Sequence, residues 1–175
     1  MPIPTALDEL TDTFRKLGAA NPEAWARSQL DEGINQLHRY LFLRQAWSQV
    51  IAESDENWIA DAVRISASTP AAPFSAIGSA LARLLAAGAA RDDLIDLVRG
   101  MQARLLFDIC YLLEDPGFTE PQLGTIGWAL VETDDEFEPT RKSIGGLHES
   151  VLETDPTGRE MRPRQRLSDA ATKAD

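Results

Sequence analysis

Two histidines, His38 and His148, are the side chains best suited to proton transfer or metal binding in this chain. A metal at His38 needs a carboxylate or a second imidazole on the same helical face. Positions 34, 35, 41 and 42 hold Ile, Asn, Leu and Phe, and neither Glu-x-x-His nor His-x-x-x-His occurs. His38 therefore reads as a histidine at the edge of a core. His148-Glu149 follows Gly145-Gly146, an arrangement that suits a site loop or, equally, a turn between two strands. Cys110 lies in Leu105-Leu106-Phe107-Asp108-Ile109-Cys110-Tyr111 and reads as a small buried hydrophobe rather than a nucleophile. No phosphate-binding glycine loop and no Gly-x-Ser-x-Gly is present, so no catalytic residue, metal or cofactor is expected.

Carboxylates offer two further candidates. Asp108 interrupts an apolar run in the middle of a helix, where partial or full burial is expected. A buried carboxylate demands a partner, with Arg104, Arg39 or Arg44 in reach, and the alternative is a carboxylate facing a cleft or interface. The second candidate is a dense acidic run: Glu132, Asp134, Asp135, Glu136 and Glu138, with Arg141-Lys142 just after. It lacks the spacing and central glycine of a calcium-binding EF-hand loop. It suits either a solvated turn or a docking surface for a basic protein.

The elements that must position these residues change character near Asp115-Pro116-Gly117. Before it the chain is helical. Leu7, Leu10, Phe14 and Leu17 keep helical spacing up to Gly18, and Asn21-Pro22-Glu23 is a strong helix start. From there to about Glu53 the pattern allows one long helix, with Gly33 as a place to break it. Ser54-Asp55-Glu56 opens a helix ending near Ser68. Pro73 is expected to open the next, with Phe74, Ile77, Leu81, Leu84 and Leu85 on its inner face. Asp92-Asp93 begins a last helix, whose stripe of Leu94, Val98, Met101, Leu105, Ile109 and Leu112 predicts a central position.

After Pro116 short strands are expected at 127–132, 137–144 and 147–153, with Asp155-Pro156-Thr157-Gly158 as a turn and residues 159–161 pairing back. Val131-Glu132-Thr133-Asp134 echoes Leu152-Glu153-Thr154-Asp155, as two similar hairpins would. The expected fold is mainly α: a bundle of about five helices over 1–115, a small antiparallel β-hairpin appendage over 116–161 packed in the same domain, and a mobile tail over 162–175.

Composition bounds the function. The chain has 175 residues and a formal net charge of −11, from 28 acidic and 17 basic residues. Such a surface repels nucleic acid and favours basic partners. One cysteine precludes an internal disulfide and fits the cytoplasm. No apolar run approaches the ~20 residues that span a bilayer, and no signal peptide is visible. The expected role is a small acidic protein that neutralises or chaperones a basic protein partner, as an immunity protein or antitoxin does. The alternatives are a helical homodimerising structural or regulatory domain, and an enzyme with a site around Asp108, His38 or His148.

Overall fold

A computed structural model describes residues 3–164. The fold is mainly helical with a small two-stranded antiparallel sheet toward the C-terminal end, as the sequence predicts. Among the described residues there are seven α-helices, and none is long and apolar enough to cross a membrane. The expected tail falls largely outside the described residues.

The chain divides into two compact units at places other than the change of character at 115–116. One holds the residues up to Trp47 and those from Leu106 onward; the other spans Ser48–Leu105.

The first unit opens with α1 (Leu7–Leu17), α2 (Pro22–Glu32) and α3 (Gln36–Trp47). The single long helix allowed from residue 22 is two helices. Gly33 takes a left-handed φ of 70°, which glycine adopts without steric cost, and the chain turns there. Leu10, Phe14, Trp25, Ala26, Leu37 and Tyr40 then form one core cluster. Its three rings pack at 5.4–5.9 Å between centroids, two of the pairs edge to face.

The C-terminal part of this unit holds strands β1 (Val131–Thr133) and β2 (Pro139–Ser143), paired antiparallel with Val131 opposite Ser143 and Thr133 opposite Pro139. These strands are shorter than expected. The third strand predicted over 147–153 is instead helix α7 (Leu147–Ser150) followed by turns, and residues 159–161 form no strand. The cause is burial at helical spacing: Leu147, Ser150 and Val151 are all buried, where a strand would alternate. Trp47 Nε1 donates to Val151 O at 2.9 Å and Thr154 Oγ1 at 3.2 Å, tying this segment to the end of α3. The turn at 155–158 forms as expected, closed by Gly158 N–H to Asp155 O at 2.9 Å.

The second unit contains α4 (Asn57–Ser68), α5 (Ser75–Ala86) and most of α6 (Arg91–Leu112). Asp55 Oδ1 accepts from Asn57 N–H and starts α4 where the sequence indicates. Ile59, Leu81, Leu94 and Ile95 form its core. Pro73 does not open α5, because Phe74 takes a φ of 67° and stands exposed just before it.

Helix α6 corrects the expectation of a central helix. Met101, Leu105, Ile109 and Leu112 of the predicted inner stripe are exposed, together with Leu97. The buried positions are Leu94, Ile95, Arg99, Ala103 and Cys110. Polar chemistry sets this rotation. Arg99 Nη1 donates to Ile51 O at 2.7 Å, and Ile51 N–H donates to Gln102 Oε1 at 2.9 Å. Two polar side chains of α6 thus satisfy backbone in the irregular 48–56 segment, and the apolar stripe is turned outward.

Candidate functional site

Three groups of candidate side chains form within the first unit. The deepest surrounds the glycine pair before α7. Glu114, just beyond α6, accepts from the backbone N–H groups of Gly146 and of His148, the latter at 3.3 Å. His148 Nδ1 stands 3.2 Å from Glu114 Oε1, close enough for an ion-pair contact though outside hydrogen-bond angles. The imidazole packs edge-on against Tyr111 and Phe107, at 5.1 and 6.2 Å between centroids. Burial on its own would raise the Glu114 pKa, yet the Gly146 N–H and His148 together hold it below the ordinary carboxylate value.

Arg39 completes this group from α3. It is buried, and the Gly146 backbone lies so close over it that a Cβ at 146 would overlap the guanidinium. Burial lowers the Arg39 pKa from its ordinary value, against the charges of Glu149, Glu114 and Glu32. Glu149 is exposed, and Ser150 Oγ accepts a long hydrogen bond of 3.5 Å from Arg39 Nη1.

The second group brings His38 beside Glu132. Asn35 Nδ2 donates to Glu132 Oε2 at 3.1 Å, His38 Nδ1 lies 4.0 Å from the same oxygen, and Lys142 Nζ lies 3.8 Å from it. Glu132 is therefore not part of a solvated acidic run; it holds β1 to the start of α3.

The third group is the hairpin tip. Asp134 Oδ1 accepts from the backbone of Glu136 at 3.0 Å and of Glu138 at 2.9 Å, so its carboxylate is spent closing the turn. Asp135, Glu136 and Glu138 are exposed. Phe137 stands between them with a left-handed φ of 64° and is 85% exposed.

Asp108 belongs to none of these groups. It is exposed on α6, which overturns the expectation of a buried core ion pair: Cys110, two residues on, takes the inward face. Burial, followed by the nearby Glu114 charge, pushes the Cys110 thiol up to about 11, so the unreactive neutral thiol prevails at neutral pH.

Chemically, a carboxylate beside an imidazole is the geometry of an oriented general base. Ser150, the nearest hydroxyl on α7, is engaged by Arg39 rather than by His148. Among the described residues there is no grouping of three or more His, Cys, Asp or Glu side chains able to hold a metal ion. Sequence reasoning missed Glu114 and placed Arg39 only as a possible partner of Asp108; the local hint at this group was the glycine pair that lets their partners approach. Comparison of the chain with protein-family models, curated proteins and solved structures finds no match to any of them.

Proposed function

We propose that the protein binds a basic protein partner in the cytoplasm through the tip of its β-hairpin, in the manner of an immunity protein or antitoxin. The observation that carries this reading is the tip itself. Three exposed carboxylates, Asp135, Glu136 and Glu138, flank in sequence Phe137, which is 85% exposed. An apolar anchor among like charges on one turn is suited to an arginine- or lysine-rich surface, which the ring meets by stacking and the carboxylates by ion pairing. The net charge of −11 steers such a partner inward. The test is affinity capture from the native host with the wild type and with a triple variant, Asp135→Lys, Glu136→Lys and Glu138→Lys. Asp134 and Glu132 are left intact because they hold the hairpin. The wild type is expected to retain one basic protein in stoichiometric amount, with an association rate roughly 10-fold or more above that of the variant at low salt. Equal retention by both proteins overturns the reading.

A second reading, self-association as a homodimer, rests on α6. Leu97, Met101, Leu105, Ile109 and Leu112 recur at steps of three or four residues and are all exposed. Sedimentation across a wide concentration range should then show a dimer, and Met101→Glu with Leu105→Glu should return it to monomer. A monomer at every concentration removes this reading and leaves the first untouched.

A further inference from the structure

Helices α2 and α3 and the α7 segment line an open pocket of about 330 Å³ within the first unit. Ala24, Trp25 and Ser28 line it from α2, Gln36 and Arg39 from α3. Glu149 and Glu153, both exposed, stand at its edge.

Two deep side chains are chemically incomplete. Gln36 is 6% exposed; its Nε2 donates to Ser28 Oγ at 2.8 Å, while Oε1 has no hydrogen-bond partner among the described residues. Arg39 is 8% exposed; among the described residues the one hydrogen bond of its guanidinium is the 3.5 Å contact to Ser150, and Nε has no hydrogen-bond partner. A guanidinium carries five N–H donors, and a buried charge left this poorly met is costly. Gln36 and Arg39 are three residues apart on one helix, so they share a face. Just beneath the pocket surface, therefore, lie one acceptor without a hydrogen bond and one guanidinium short of acceptors among the described residues.

The charge pattern selects the ligand. A plain anion suits Arg39 and is repelled by Glu149 and Glu153. A plain cation suits the glutamates and brings the Arg39 donors no acceptor. A molecule carrying both charges a few ångströms apart satisfies these buried side chains and the rim together. A volume of about 330 Å³ lies at the small end of ligand pockets, which begin near 300 Å³. We propose that this pocket binds a zwitterion of the α-amino-acid class. Its carboxylate meets Arg39 and Ser150, its ammonium meets Gln36 Oε1 and the rim glutamates, and its side chain lies against Trp25 and Ala24.

The test is thermal melting and direct titration with the free amino acids at about 10 mM, beside their N-acetyl and carboxamide derivatives. A ligand with a Kd of ~1 mM should raise Tm by about 3–6 °C at that concentration. At least one free amino acid should do so, and both of its blocked derivatives should fail. Binding by the N-acetyl form alone would mean a simple carboxylate, and by the carboxamide alone a simple amine; either overturns the zwitterion. No shift from any compound means that water alone completes these atoms, and also overturns it. Glu149→Gln with Glu153→Gln alters only exposed side chains, so it should fold and weaken binding about 10-fold or more. Gln36→Leu should weaken it further. Undiminished binding in both variants places the ligand elsewhere. Loss of amino-acid binding leaves capture by the hairpin tip unaffected.

Discussion

A carboxylate at a helix end does more here than one in mid-helix. Asp108 drew notice because apolar residues flank it, but the helix rotates it to the surface, where such a charge is worth little to stability. Glu114 reads in the sequence as one of several charges at a helix end. Its importance comes from His148, 34 residues away, and no local pattern reports a contact of that range. Removing this acceptor by Glu114→Ala should cost about 2–3 kcal/mol at neutral pH, as hydrogen bonds to a charged group do. The sign of its pH dependence is set by the depressed folded pKa. The stabilisation is complete above the unfolded carboxylate value of about 4.3 and is lost as pH falls through the lower folded value. Denaturant melts from pH 7 to pH 3 should therefore show a constant gap between wild type and variant down to about pH 5. Below that the gap should close. A gap that widens on acidification would mean that Glu114 is protonated in the fold.

Elements were legible where their ends carry chemistry and obscure where tertiary packing decides. Pro22, Gly18 and Asp55 mark boundaries that formed as expected, because caps act locally. The 147–153 segment reads as a strand because a four-residue helix and a short strand look alike over so few residues, and the contact that ties Val151 to Trp47 is 104 residues away in sequence. Two glycines separate local from tertiary causes. Gly33 and Gly146 have nearly equal φ, 70° and 69°. A Cβ at 33 meets open space, whereas one at 146 overlaps the Arg39 guanidinium. Gly33→Ala should cost only the left-handed strain, about 1–2 kcal/mol. Gly146→Ala should cost that and the displacement of a buried cation, so urea melts should place it clearly below Gly33→Ala. Equal losses would show that Arg39 moves aside without penalty.

At the scale of the whole molecule, the sequence predicts charge better than architecture. The grouping of buried residues into one cluster around Phe14 and another around Ile59 is invisible in a pattern of helices, since periodicity says which face is buried and not against what. The charge of −11, by contrast, is a direct count with a physical consequence. Self-repulsion of that size opposes the compact state. The exposed ion pairs Arg27–Glu23 and Arg64–Asp61 offset that repulsion only weakly. Salt screens both. Raising ionic strength from about 0.01 to 1 M shortens the screening length from roughly 30 to 3 Å and removes the long-range repulsion first. NaCl should therefore raise Tm at pH 7. Near the pI of 4.6 the net charge vanishes, and the same addition should leave Tm flat or slightly lower it as the surface pairs weaken. Sodium chloride is the right probe, because sulfate would strengthen apolar burial at either pH and hide the difference. A Tm that falls with NaCl at pH 7 would mean that attraction between neighbouring charges outweighs repulsion. The carboxylates of the hairpin tip would then be a minor part of the protein's field, and salt-sensitive capture of a basic partner would need another origin.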